Sequence, residues 1–262
     1  ADWKAAHPSL VRDDLPFYMM GEVYNYNINS GREFDFGGGD AVDFFDYGYD
    51  GLINFDFKNR TDETLGEFYA RYDRTLRGGE LDGLAVLNYV SSHDDSSPWD
   101  REREHPLDAG TRLLLAPGGA QIYYGDELAR PLWVTGARGD ANLRSNMNWD
   151  DLEAGGATAE TLEHWRKLGT FRQAHPAVGA GEHRELQAEP YMFSRTLEAG
   201  GVSDRVLVAM DQGEGAKTIP VYGTFADGTT LVDAYSGRSV TVVDGAVTLT
   251  TDSGLVLLAE GR

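Results

Sequence analysis

Two acidic groups follow short apolar runs, and both are of a kind that can handle protons or grip hydroxyls. Glu22 ends the run in Met19-Met20-Gly21-Glu22-Val23-Tyr24, and His93-Asp94 follows Asn88-Tyr89-Val90-Ser91-Ser92. A carboxyl group at a strand end among Met and aromatic side chains is partly desolvated, which favours its neutral form and suits a general acid. The plain alternative is an exposed loop glutamate, because most glutamates are solvated. His93 beside Asp94 places a hydrogen-bond donor and a carboxylate on one short loop, suited to holding a sugar. A strand-end turn with an Asx cap is the plain alternative there. A metal site on His93, Asp94 and Asp95 lacks matching ligands elsewhere, so no metal ligand is assigned.

Other polar clusters carry less chemistry. Gly37-Gly38-Gly39 has no Lys-Ser or Lys-Thr after it and reads as a loop rather than a phosphate cradle. No Gly-x-Ser-x-Gly elbow occurs, which argues against a serine hydrolase. Asp126-Glu127, after Tyr123-Tyr124-Gly125, reads as structural, with Arg130 or Arg144 as ion partners. His7, His105, His164, His175 and His183 are scattered, and His175-Pro176 reads as the end of a helix.

The acids need elements to position them. Four apolar runs, Phe17 to Val23, Gly51 to Phe57, Leu84 to Val90 and Gln121 to Tyr124, start about 35 residues apart, one strand-plus-helix unit each. Helical periodicity runs from Glu63 to Leu76, Leu107 to Leu115 and Ala159 to His175. This alternation predicts an α/β fold with parallel strands, whose catalytic side chains would sit at the carboxyl ends. From Glu182 the pattern changes to short β-rich runs with Gly turns: Tyr191 to Leu197, Arg205 to Met210, Thr229 to Asp233, Ser239 to Val243, Ala246 to Leu249 and Leu255 to Ala259. Asp244-Gly245 signals a hairpin turn. The expected division is an α/β part over 1–181 and an antiparallel β-sandwich over 182–262. Four such units make half of an eight-stranded barrel with two open edges, and an open four-stranded sheet is the alternative.

Composition bounds the partners. The 262 residues carry a formal net charge of −20, which argues against nucleic acid or an anionic membrane surface and suits a neutral substrate. Lysines are confined to Lys4, Lys58, Lys167 and Lys217, and there is no cysteine, so thiol chemistry and disulfides are excluded. No stretch reaches the roughly 18 to 20 apolar residues of a membrane span.

With these residues in view, the chain resembles the α-amylases of glycoside hydrolase family 13. Gly21-Glu22-Val23 is similar to the family's fifth-strand motif, Asn88 through Asp94 to the seventh-strand motif, and Leu114 through Glu127 to the eighth-strand signature. The four runs would be strands five to eight of a (β/α)8 barrel, its C-terminal half. Tyr49 through Phe57, Arg144 through Trp149 and Phe171 through Gly181 are similar to the bacterial periplasmic α-amylases that act on maltodextrins.

The resemblance implies retaining hydrolysis of α-1,4-glucosidic bonds in starch or maltodextrins, with paired carboxylates about 5 Å apart. Glu22 would be the acid/base, Asp94 the transition-state stabiliser, His93 a sugar ligand in the cleaving subsite and Tyr24 a stacking face. It also implies a nucleophilic aspartate on strand four, which has no counterpart here. Asp35, Asp43 and Asp46 lie in the loop after strand five and cannot replace it by spacing. The expectation is a fragment, inactive alone, whose missing partner is the N-terminal half of the barrel. Any calcium of the family would take its ligands mostly upstream, and the location would be periplasmic or extracellular. The competing reading is a non-catalytic carbohydrate-binding or half-barrel assembly module.

Overall fold

Short parallel strands bring the acid-bearing loops to one end of a sheet. The computed structural model describes residues 2–8, 17–59, 63–94 and 97–261; Asp95 lies outside them. Helix α1 (Asp2–Ala6) precedes strand β1 (Met20–Gly21), and a hairpin of β2 (Glu33–Asp35) and β3 (Ala41–Asp43) follows. Gly37, Gly38 and Gly39 form its tip, all at positive φ, and the Asp35 carboxylate accepts the Gly37 N–H at 2.6 Å. Strand β4 (Gly51–Asn54), helix α2 (Leu65–Leu76), strand β5 (Ala85–Asn88), helix α3 (Pro106–Leu114) and strand β6 (Gly119–Ala120) complete this part. The sheet order is β1-β4-β5-β6 with every pair parallel. Spatial order following sequence order, without the reversal of a doubly wound sheet, is consistent with a partial barrel.

The fourth strand corrects the sequence reading. It is Gly119–Ala120, and the run Gln121 to Tyr124 lies beyond it in a loop. A Cβ on Gly119 would sit 3.1 Å from the Val86 carbonyl, so the backbone approach to β5 selects a residue without a side chain.

Each helix follows from its own residues. Thr64 and Glu67 form a capping box that starts α2, whose Phe68, Tyr69 and Tyr72 are buried on one face. Pro106 opens α3, where a missing N–H costs nothing. Gly110 lets α3 lie close against α5 (Ala157–Ala174), because a Cβ there would meet the Trp165 indole at 2.9 Å. Helix α5 buries Thr161, His164, Trp165, Leu168 and Phe171, a 3-4 spacing, and follows α4 (Trp149–Ala154).

After α6 (Ala177–Ala180) the chain is antiparallel: β7 (Glu182–Gln187), β8 (Met192–Ala199), β9 (Val202–Ala209), β10 (Gly215–Pro220), β11 (Thr230–Asp233), β12 (Arg238–Thr241), β13 (Ala246–Thr251) and β14 (Val256–Glu260). Six strands pair in the order β12-β11-β14-β9-β8-β7, and β10 pairs with β13. Asp244 and Gly245, both at positive φ, make the tight turn between Val243 and Ala246. Strands β7 and β10 were not among the expected runs.

Strand alternation sorts β9 between two cores. Leu207 and Ala209 join Ile219, Val247, Leu249 and Leu258 between the two antiparallel sheets. Val206 and Val208 join Phe68, Tyr69, Leu113 and Phe171 in the larger core, which therefore extends from the parallel sheet onto the six-stranded one. Among the described residues no helix is long and apolar enough to cross a membrane.

Candidate active site

Register sets the level of the acids. Gly21 of β1 pairs with Leu52 and Leu52 with Val86, so Glu22 leaves β1 one residue below the level of Asn54 and Asn88. Those two asparagines are fully buried at the carboxyl ends of β4 and β5. Asn54 Nδ2 donates to Asn88 Oδ1 at 2.9 Å and to the Tyr72 hydroxyl at 2.8 Å, while Asn88 Nδ2 donates to the Pro117 carbonyl at 2.9 Å. The Asn54 Oδ1 accepts the Ile28 N–H at 3.2 Å, which ties the loop carrying Glu22 and Tyr24 to the strand ends. Burial, with the Asp56 charge adding to it, raises the Tyr72 pKa, so its hydroxyl stays neutral in this network.

A row of aromatic rings crosses the same end of the sheet. Tyr24 meets Phe55 edge to face at 5.4 Å between centroids, and Phe55 meets Tyr89 at 5.7 Å. Tyr89 is buried, whereas Tyr24 remains 70% exposed and offers an open face. Glu22 is exposed rather than sheltered by its Met and aromatic neighbours. The local run of apolar residues misled on this point, because the Met20 side chain lies against Gly51 and that of Met19 reaches Gly48.

His93 and Asp94 are together, with Nε2 and Oδ2 3.5 Å apart and both side chains open to solvent. The Ser92 hydroxyl donates to Asp94 at 3.1 Å, and Arg144 Nε donates to the His93 carbonyl at 2.8 Å. One residue earlier, Ser91 donates its hydroxyl to the buried carboxylate of Asp126 at 2.5 Å. The ion partner of Asp126 is Arg103, at 2.7 Å, and neither Arg130 nor Arg144. Arg130 instead donates to the carbonyls of Tyr124 and Leu143, and Arg144 serves His93. Tyr123, 6.5 Å from the His93 ring, donates to the Leu143 carbonyl at 2.9 Å. Burial, and next its hydrogen bond with Tyr124, push the Tyr123 phenol up to about 12, so it stays a neutral donor.

The geometry thus groups Glu22 and Tyr24 on one loop and His93 and Asp94 on another, with Phe55 and Tyr89 between. Asn54, Asn88, Ser91, Arg103 and Arg144 are supporting residues that apolar runs do not reveal, since polar residues at run ends read only as terminators. Asp43 and Asp46 are held by Arg32 at 2.6 and 2.8 Å on the hairpin side of the molecule. Among the described residues no three His, Asp or Glu side chains converge as a metal-binding group.

No protein-family model matches the chain. Over 210 residues it is 37% identical to the periplasmic α-amylase of Escherichia coli (strain K12), a stretch covering 79% of this chain and 28% of that protein. Over most of its length the chain is similar to the α-amylases of glycoside hydrolase family 13. Solved α-amylases share the fold. That of Geobacillus thermoleovorans, in complex with acarbose, superposes with a TM-score of 0.62 at 16% identity, covering 100% of this chain and 56% of the other. An Anoxybacillus α-amylase gives 0.61 at 19% identity, covering 94% and 53%. The chain therefore spans about a quarter of this curated relative and about half of the solved ones.

Proposed function

We propose that the chain supplies the acid side of a cleft for retaining hydrolysis of α-1,4-glucosidic bonds in starch or maltodextrins. Glu22 protonates the leaving glycosidic oxygen and then takes a proton from the attacking water, Asp94 stabilises the oxocarbenium-like transition state, and His93 binds the sugar. Tyr24 gives the neighbouring glucose a stacking face. The observation that carries this reading is the shared end of the sheet: the Glu22 and His93–Asp94 loops leave parallel strands in register and are joined by the row Tyr24–Phe55–Tyr89. That the matching relatives are named as amylases supports a hydrolase over a binding or assembly module.

The nucleophile is proposed to come from a segment outside this chain, the N-terminal half of the barrel, and the chain alone is proposed to be inactive. Residues 1–181 then form half of the catalytic barrel and 182–262 the β-sandwich. Any calcium takes its ligands mostly from the same outside segment. The proposed location is periplasmic or extracellular, a reading that the relative's name supports.

The test is release of reducing ends from maltoheptaose and soluble starch by the purified chain and by Glu22→Gln, with added calcium, beside calorimetric binding of maltoheptaose. Background rates from both proteins, with binding that weakens in His93→Ala, are expected. Turnover abolished in Glu22→Gln would mean that a carboxylate already in the chain completes the site. Absence of any glucan binding would remove the carbohydrate reading.

A further inference from the structure

We infer that the indole of Trp133 is a stacking platform that receives a glucan chain running out from the His93–Asp94 loop; the inference rests on the glucan-hydrolase reading above. Single exposed apolar residues are ordinary, and Trp133 is 51% exposed. What sets it apart is how firmly the ring is held. The Arg101 guanidinium lies over it, 3.9 Å from the ring centroid, and the indole Nε1–H donates to Glu102 Oε1 at 3.2 Å. Arg101 Nε is buried with no hydrogen-bond partner among the described residues, so its stacking on the ring is the contact that accounts for its place. One face of the indole is covered by a cation, one edge is pinned by a carboxylate, and the exposed remainder is a flat apolar surface already oriented for a ligand.

The platform is tied rigidly to the candidate site. The Val134 N–H donates to Asn142 Oδ1 at 3.0 Å, and Arg144 Nε donates to the His93 carbonyl at 2.8 Å. Asn142 and Arg144 belong to one 3-10 helix, Gly139–Arg144, so their backbones are about 4 Å apart along its axis at about 2 Å rise per residue. The backbone beside Trp133 and that of His93 are therefore both held by the last three residues of one short element.

A pyranose fits this chemistry because its C–H face is apolar and its rim is hydroxylated, matching an indole face bordered by Glu102 and Arg101. The charge of −20 disfavours the other common stacking ligand, a nucleic-acid base with its phosphate. Because Trp133 and the His93–Asp94 pair sit on separate segments joined through Asn142 and Arg144, the inferred gain goes to a glucan long enough to touch both. Trp133 is thereby a length-selecting contact.

Calorimetric titration of the chain with maltose and with maltoheptaose, in parallel with Trp133→Ala, Trp133→Phe and His93→Ala, tests this. Trp133→Ala is expected to weaken maltoheptaose binding about tenfold, a change of about 1.4 kcal/mol, with maltose little affected and Trp133→Phe retaining most of the affinity. Unaltered maltoheptaose affinity in Trp133→Ala, while His93→Ala weakens it, overturns the platform and leaves the functional reading standing. Failure of the parent chain to bind either sugar overturns both. Equal losses for maltose and maltoheptaose in Trp133→Ala overturn the length selection.

Discussion

Arg195 Nη1, on β8 of the antiparallel sheet, donates to the Leu115 carbonyl just past α3 at 2.6 Å, across 80 residues of chain. The guanidinium also reaches the Val178 carbonyl and lies over the Phe193 ring at 4.7 Å. Burial lowers its pKa to about 10, which still leaves it charged at neutral pH. Arg195→Met removes a costly buried cation but leaves carbonyls unpaired in a core shared by both parts, and the second effect wins. A loss of about 2–4 kcal/mol is expected, read from the denaturant midpoint. Because the core is shared, the unfolding curve should remain one transition; two well-separated transitions would contradict it.

His183 makes stability fall on the acid side. Its Nδ1 accepts from Arg195 Nε at 3.2 Å, so the hydrogen sits on Nε2, which donates to the Tyr191 hydroxyl at 3.1 Å. Burial, and then the Arg195 charge, depress its pKa from 6.5 to about 3. Between those values the unfolded chain binds a proton that the folded chain refuses, so stability drops as pH falls through about 6.5 toward 3. His183→Gln is expected to show a shallower fall between pH 7 and 4.5 in thermal melts. Parallel slopes for the two proteins would rule His183 out as a cause.

The parts of the fold legible in the sequence were those where side chains announce burial by period. Helix α5 shows its 3-4 spacing, and Asp244-Gly245 shows its turn. Strand β6 was misplaced because Gly119-Ala120 succeeds by having almost no side chain. Strand β10 was hidden by Lys217, which is buried yet satisfied by Thr251 Oγ1 at 2.9 Å and the Gly213 carbonyl at 2.5 Å. Strand β7 is largely polar because it is the edge of the six-stranded sheet and none of its side chains is fully buried. The candidates Glu22 and Asp94 are proposed from their place after apolar runs, and Asp126 reads as structural but with other arginines as partners than Arg103; Asn54 could not be singled out, since its partner Asn88 lies 34 residues away.

Asn54→Ala should harm both stability and sugar binding. It removes one partner each of Asn88 and Tyr72 in a buried network and frees the Ile28 N–H that fixes the Glu22–Tyr24 loop. A loss of about 2–3 kcal/mol is expected, with maltoheptaose affinity falling as that loop loosens. A variant equally destabilised but binding maltoheptaose as tightly as the parent would show that the network holds the sheet and not the loop.

Asp126 holds the other loop through two kinds of contact, and two substitutions separate them. Its side chain is fully buried, that of Arg103 is 7% exposed, and Ser91, at the start of the segment leading to His93 and Asp94, donates to it. Asp126→Ala leaves a guanidinium in the interior without its carboxylate and should cost about 3–5 kcal/mol. Asp126→Asn keeps an oxygen for the Ser91 hydroxyl while giving up the ion pair, so its stability should fall between the two. If sugar binding follows the Ser91 contact, Asp126→Asn should bind maltoheptaose nearly as the parent does while Asp126→Ala binds weakly at a temperature where it is still folded. Denaturant midpoints and calorimetric titrations on the three proteins measure both. Equal affinity in parent and Asp126→Ala would mean that the His93–Asp94 loop is positioned by Arg144 and its own turn, independently of Asp126.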